Sequence, residues 1–212
     1  MNTYIYIHVC CINNWRQIFG NLLYHIKSSD LYEKITKIRV NILGEGFDIC
    51  DDKIEIIGVS NNLSLYESST LNLLYDHALK EDFRVLYLHT KGVTRGENMF
   101  IKDWVKYLCY FNIYKHQDCL SMLDTHDAVG VNLNSNPTHF SGNFWWSTSK
   151  HIKQLGPCIN KNYNSPEFWV TCVKGNYKEL WKSGVNHYNQ PYPEELYLAS
   201  SSSLSRSTTN GI

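Results

Sequence analysis

His89-Thr90-Lys91-Gly92 brings together side chains suited to a phosphorylated ligand. A lysine ammonium neutralises diphosphate charge, a threonine hydroxyl bonds a ribose, and an imidazole nitrogen ligates a divalent cation. The four residues follow Val85-Leu86-Tyr87-Leu88, an almost continuous apolar run of the kind a central α/β strand shows when helices cover both its faces. Open α/β sheets bind ligands in the crevice just past the carboxyl ends of such strands. The same residues also suit a strand end that simply meets solvent. Gly92 tips the reading toward function, because it lets backbone come close to a ligand.

Three further places carry candidate chemistry. Pro137 to Trp146 contains His139, Ser141, Gly142, Asn143 and Trp145, a mixture of hydrogen-bonding groups, a flexible glycine and large rings that suits a sugar. Its structural alternative is an aromatic core strand after a turn, with one of Trp145 and Trp146 facing inward. Glu167, in Ser165-Pro166-Glu167, sits at the first turn of a predicted helix. There it either complements the helix dipole or serves as a carboxylate that anchors sugar hydroxyls or stabilises an oxocarbenium-like centre. His187 lies in a polar late segment and is either structural or a metal ligand facing the same crevice.

The chain contains no Walker loop, GxSxG elbow, HExxH helix or GxGxxG turn. Gly44-Glu45-Gly46 reads as a turn. A formal net charge of zero and the lack of a long basic run exclude a general electrostatic grip on nucleic acid, so phosphate recognition must be local. No segment reaches the roughly 20 apolar residues of a membrane span, and the N-terminal apolar run lacks a basic leader, which predicts a soluble, cytoplasmic protein. None of the seven cysteines forms a CxxC pair. Their dispersal suits reduced thiols rather than a disulfide frame or zinc site.

These residues need elements to position them. Tyr4 to Cys10 reads as a first strand, followed by a helix capped by Asn13 or Asn14 and running to about Lys27. Strands are predicted over Ile35 to Leu43 and Lys53 to Val59, then a helix from Ser69 or Thr70 through Leu79, then the strand ending at His89. A long helix over Lys102 to Leu123 and a strand over Asp127 to Leu133 follow, with shorter helices over Ser149 to Leu155 and Pro166 to Val173. This order predicts an α/β fold with a mostly parallel mixed sheet flanked by helices. A length of 212 residues suits one domain, taken as 1–195, and the Ser-rich stretch from Ser200 to Ser207 marks 196–212 as a tail or a linker to a further C-terminal domain.

Three blocks, Leu86 to Gly92, Asp127-Ala128-Val129-Gly130 and His139 to Trp146, resemble viral and bacterial glycosyltransferases of the GT-A (Rossmann-like) fold, including those of chlorella viruses that build a capsid glycan. The likeness spans about residues 4 to 190. It implies transfer of a hexose or deoxyhexose from a UDP-sugar to a glycan or glycoprotein acceptor, with retention of configuration. It also implies assistance by Mn2+ or Mg2+, although His89-Thr90-Lys91 stands where such enzymes carry Asp-x-Asp. On this resemblance His89 and His187 become the metal ligands and Thr90 and Lys91 phosphate or ribose contacts. Val9, Cys11, Asn13 and Asn14 fall at the uridine pocket, with Thr70 and Asn72 reaching ribose or phosphate. Glu167 falls beside the anomeric carbon, and Asn143 meets donor or acceptor hydroxyls with His139, Ser141, Gly142 and Trp145 nearby. The missing carboxylates leave a second reading, a noncatalytic carbohydrate-binding or scaffold domain.

Overall fold

The computed structural model describes residues 1–96, 98–159 and 162–198. The predicted Ser-rich stretch lies outside the described residues. Tyr197, inside the range assigned to the tail, is buried and stacks on Tyr192, so the packed unit extends at least that far.

Strands β1 (Asn2–Cys10), β2 (Lys37–Leu43), β3 (Ile54–Ser60) and β4 (Phe83–His89) pair in parallel in the order β3-β2-β1-β4. The helices α1 (Trp15–Lys27) and α3 (Ser68–Ala78) supply crossovers, with the one-turn α2 (Leu31–Lys34) completing the first. The sheet continues through β8 (Trp145–Thr148), antiparallel to β4, then β5 (Ala128–Gly130) and β9 (Tyr177–Glu179), which run parallel to each other. The predicted α/β, Rossmann-like class with a mostly parallel mixed sheet is therefore the observed one.

Alternation along each strand sorts side chains onto two covered faces. Ile5, Ile7, Val9, Leu86, Leu88 and Trp146 pack under α1 and α4 (Met99–Cys109), against Trp15, Phe19, Trp104 and Leu108. Tyr4, Tyr6, Val85, Tyr87 and Trp145 face the opposite way, onto Leu71 and Leu74 of α3 and Ile152 of α6 (Ser149–Leu155). Because both faces are covered, adjacent residues Trp145 and Trp146 are both buried, not one of the two.

Two predicted elements are broken. The long helix over 102–123 divides into α4, a π-helical turn over Tyr110–Tyr114 and α5 (His116–Met122). At the break the Asn112 carbonyl accepts the Trp146 indole N–H, and its side chain donates back to the Leu108 carbonyl. The predicted strand over 127–133 ends at Gly130. Asn132, at φ +50°, turns the chain into the hairpin of β6 (Leu133–Ser135) and β7 (Thr138–Phe140). The helix predicted over Pro166 to Val173 is a 3-10 helix over Ser165–Thr171, whose Trp169 and Val170 close the face beneath α3.

Candidate functional site

The chain order reverses between β1 and β4, since β2 and β3 lie on one side of β1 and β4 on the other. A crevice of about 470 Å³ opens past the carboxyl ends of these two strands, where a doubly wound sheet places ligands. His8 and Cys10 line it from β1, His89 to Arg95 from the end of β4 and its loop, Tyr66 and Glu67 from the start of α3, and Glu167 from the 3-10 helix. Tyr163 and Tyr188 complete a partly exposed aromatic rim with Tyr66.

Lys91 lies at the centre. Its side chain is buried, 7% exposed, with Nζ 3.9 Å from the centroid of the Trp104 ring. No carboxylate oxygen among the described residues lies within 4 Å of it. Burial lowers its pKa, opposed by the charges of Glu167 and Glu67, while Arg95 adds to the lowering. Gly92 makes this placement possible. At φ +93° it adopts a conformation that side chains rarely take, and a Cβ there would stand 2.7 Å from Ile101 Cγ2. Asn13, itself at φ +50°, ties the same loop down by donating to the Val93 carbonyl at 2.6 Å.

His89 is locked into one orientation. Its Nε2 lies 3.1 Å from the Gly142 carbonyl, which can only accept, so the neutral ring carries its proton there. Burial first, then the Lys91 charge, push its pKa down to about 3. The Nδ1 lone pair is left 3.5 Å from Glu67 Oε1. The other oxygen of Glu67 accepts from the Tyr87 hydroxyl at 2.8 Å and the Asn143 amide at 2.7 Å. His8 sits beside them. Asn41 donates to Thr70 Oγ1, leaving the Thr70 hydroxyl hydrogen for His8 Nδ1, and burial lowers the His8 pKa to about 4. Two neutral imidazoles, two carboxylates and two cations thus face one cavity.

Of the residues singled out in the sequence, His89, Thr90, Lys91 and Glu167 meet in this crevice. Others are held elsewhere, for identifiable reasons. Asn143 is fully buried at φ +54°, donating to Glu67 and accepting from the Trp145 indole, so it orients the carboxylate rather than touching a ligand. Trp145 is buried and stacked on Tyr87, which removes it from sugar contact. Gly142 contributes only its carbonyl to His89, and His139 bonds to Asn134 and the Pro137 carbonyl on the small hairpin. Ser141 donates its backbone N–H to Asn132 and is absent from the crevice wall. Val9 is buried in the core, Cys11 packs against the carboxyl end of β2, and Asn13 is spent on the Val93 carbonyl. Thr70 supports His8, and Asn72 brackets Cys158. Asn14 lines a separate groove between α1 and α4.

His187 is the clearest correction. Its Nε2 lies 3.1 Å from the Asn132 amide nitrogen and 2.8 Å from Ser183 Oγ. The Asn132 side-chain oxygen is occupied by the Tyr107 hydroxyl and the Ser183 N–H, so its nitrogen faces the ring as donor and consumes the Nε2 lone pair. The neutral ring then carries its proton on Nδ1, which is buried without a hydrogen-bond partner among the described residues, and in this arrangement neither nitrogen presents a free lone pair. Stacked on Trp104 and Tyr107, the ring does not line the crevice. Among the described residues, no group of three or more His, Cys, Asp or Glu could hold a metal ion. All seven cysteines are free thiols, and none of the described helices is long and apolar enough to cross a membrane.

The sequence reading missed Glu67, His8 and Arg95. Glu67 looks like an ordinary acid ahead of a helix, and Arg95 an ordinary loop cation. His8 does carry a signal, a polar residue on the Tyr4-Tyr6 side of an otherwise apolar strand.

Fold and site together define an α/β protein with a ligand crevice at its topological switch point. Residues 13–182 match a family described as a domain of unknown function, DUF8361, and the chain belongs to that family. No curated protein matches its sequence. Among solved structures, it is similar to 4-diphosphocytidyl-2C-methyl-D-erythritol synthase from Anaerococcus prevotii DSM 20548, at 12% identity and a TM-score of 0.45, over 97% of this chain and 96% of that one.

Proposed function

We propose that this protein is a glycosyltransferase of GT-A type that moves a hexose or deoxyhexose from a UDP-sugar to a glycan acceptor, on the resemblance a viral capsid glycan, with retention of configuration. The observation that carries the reading is Lys91, a buried ammonium without a carboxylate partner among the described residues, facing Glu167 in a crevice at the switch point. A buried cation of this kind calls for an anionic ligand. The leaving diphosphate of a sugar nucleotide supplies one, and stabilising it is the main catalytic need when an anion departs.

In this reading the bond between the anomeric carbon and the diphosphate oxygen breaks, and its electron pair leaves with the phosphate beside Lys91. The acceptor hydroxyl oxygen forms the new bond from the same side, and its proton passes to the departing phosphate oxygen. Glu167 stabilises the positive charge that develops on the sugar ring. Tyr66, Tyr163 and Tyr188 take the place assigned in the sequence to Trp145, offering apolar faces to sugar or base at the crevice mouth.

Isothermal titration with UDP, CDP, GDP and ADP tests the binding step, and chromatography of incubated UDP-sugars tests turnover. UDP should bind, and a UDP-sugar should be slowly hydrolysed without acceptor. Absence of any uridine-nucleotide binding would sink the proposal. The replacement of Asp-x-Asp by His89-Thr90-Lys91 favours one competing reading, a noncatalytic glycan-binding domain. Glycan binding with no turnover of any sugar nucleotide would establish it.

A further inference from the structure

We propose that Lys91 and Arg95 hold the donor's diphosphate by themselves, so that nucleotide binding needs no divalent cation. This deepens the glycosyltransferase reading and rests on it. Both cations line the crevice, one from the end of β4 and the other three residues beyond Gly92 on the same loop. The Arg95 N–H donates to the Gly92 carbonyl, which folds the loop so that both side chains border one cavity. The Arg95 guanidinium is exposed and lies 5.3 Å over the Tyr188 ring, and no carboxylate oxygen among the described residues lies within 4 Å of it. Lys91 packs on Trp104, an attraction that leaves its N–H donors free for anionic oxygens. Together they present a fork and a point charge to the same ligand, the combination suited to a diphosphate.

The donor set for a metal does not fit. His187 has its Nε2 lone pair taken by Asn132, so the imidazole pair expected from the sequence cannot assemble. What remains in the crevice is the Nδ1 of His89, one oxygen of Glu67 and the carboxylate of Glu167, and among the described residues these do not gather into a group of three that could hold a metal ion. A dication bound there would share a closed space with the Lys91 ammonium, whose charge already acts on both His89 and His187. Lys91 occupies the electrostatic position that a metal would fill, and Glu67 and Glu167 balance its charge until the diphosphate arrives.

Titration of the full chain with UDP and with inorganic pyrophosphate, each in EDTA and in Mn2+, decides the matter. UDP should bind in EDTA with an affinity that Mn2+ leaves essentially unchanged. Arg95→Gln, a change at an exposed position, should weaken UDP by about tenfold, and Lys91→Met by about tenfold to a hundredfold, the worth of one charged hydrogen bond each. Uridine, which lacks the diphosphate, should bind both variants as it binds the parent, which separates lost phosphate contacts from misfolding. Binding of UDP only in Mn2+, or an unchanged affinity in Arg95→Gln and Lys91→Met, overturns the inference while leaving the glycosyltransferase reading intact. Failure of UDP to bind under either condition overturns that reading itself.

Discussion

Asn143 and Glu167 looked alike in the sequence, each a polar residue among aromatics, yet they do different work. Asn143 is a buried link whose amide feeds Glu67 and whose oxygen satisfies the Trp145 indole. Asn143→Ala strands both partners, and leaving a buried polar group unpaired costs about 1–3 kcal/mol. Its urea midpoint should therefore fall with the slope unchanged; a midpoint equal to wild type would mean that the network is replaceable. Glu167 lines the crevice without being consumed by the fold. Glu167→Gln should keep UDP affinity near that of the parent but lower turnover by about a hundredfold, the scale of removing one preorganised electrostatic group. Equal loss of binding and turnover would instead make Glu167 a donor-binding residue only.

The loop after β4 is the element on which the site depends. Its conformation needs Gly92, where a left-handed backbone and a close approach to Ile101 coincide. Gly92→Ala should destabilise the protein by about 1–3 kcal/mol through backbone strain and contact. It should also weaken UDP more than uridine, because Lys91 and Arg95 flank the distorted residue. A variant with parent stability and parent UDP affinity would show that the loop tolerates both insults. The strand that feeds this loop was legible from Val85 to Leu88, since a buried parallel strand leaves a continuous apolar run. The break in the 102–123 helix was not, because the indole that takes the Asn112 carbonyl comes from Trp146, far along the chain.

Across the whole molecule, burial of histidine makes stability depend on acid. His8, His89 and His187 are pushed down to about 4, 3 and 4, in each case chiefly by desolvation. Unfolded, each titrates near 6.5. Above that value both states are neutral and the three residues add no pH dependence. Below it the unfolded chain binds more protons than the native one, so stability is lost as the pH falls from 6.5 toward 4. Urea midpoints measured from pH 8 to pH 4.5 should be flat at first and then decline. A midpoint that rises on acidification through this window would contradict the buried neutral state.

The amino-acid sequence by itself determined the alternation of strands and helices, the central strand ending at His89, and the presence of Thr90 and Lys91 at its carboxyl end. These are local patterns of apolar run, period and glycine, and they survive any rearrangement of distant parts. Tertiary structure alone decided which polar residues reach the crevice. Glu67 and Arg95 enter the crevice because α3 and the β4 loop converge there. Asn143, Trp145 and His187 leave it because a sheet covered on both faces satisfies buried polar atoms with one another. Side chains far apart in the chain compete for a few hydrogen-bond partners, and only the packed fold settles which are spent on the interior and which remain to line the crevice.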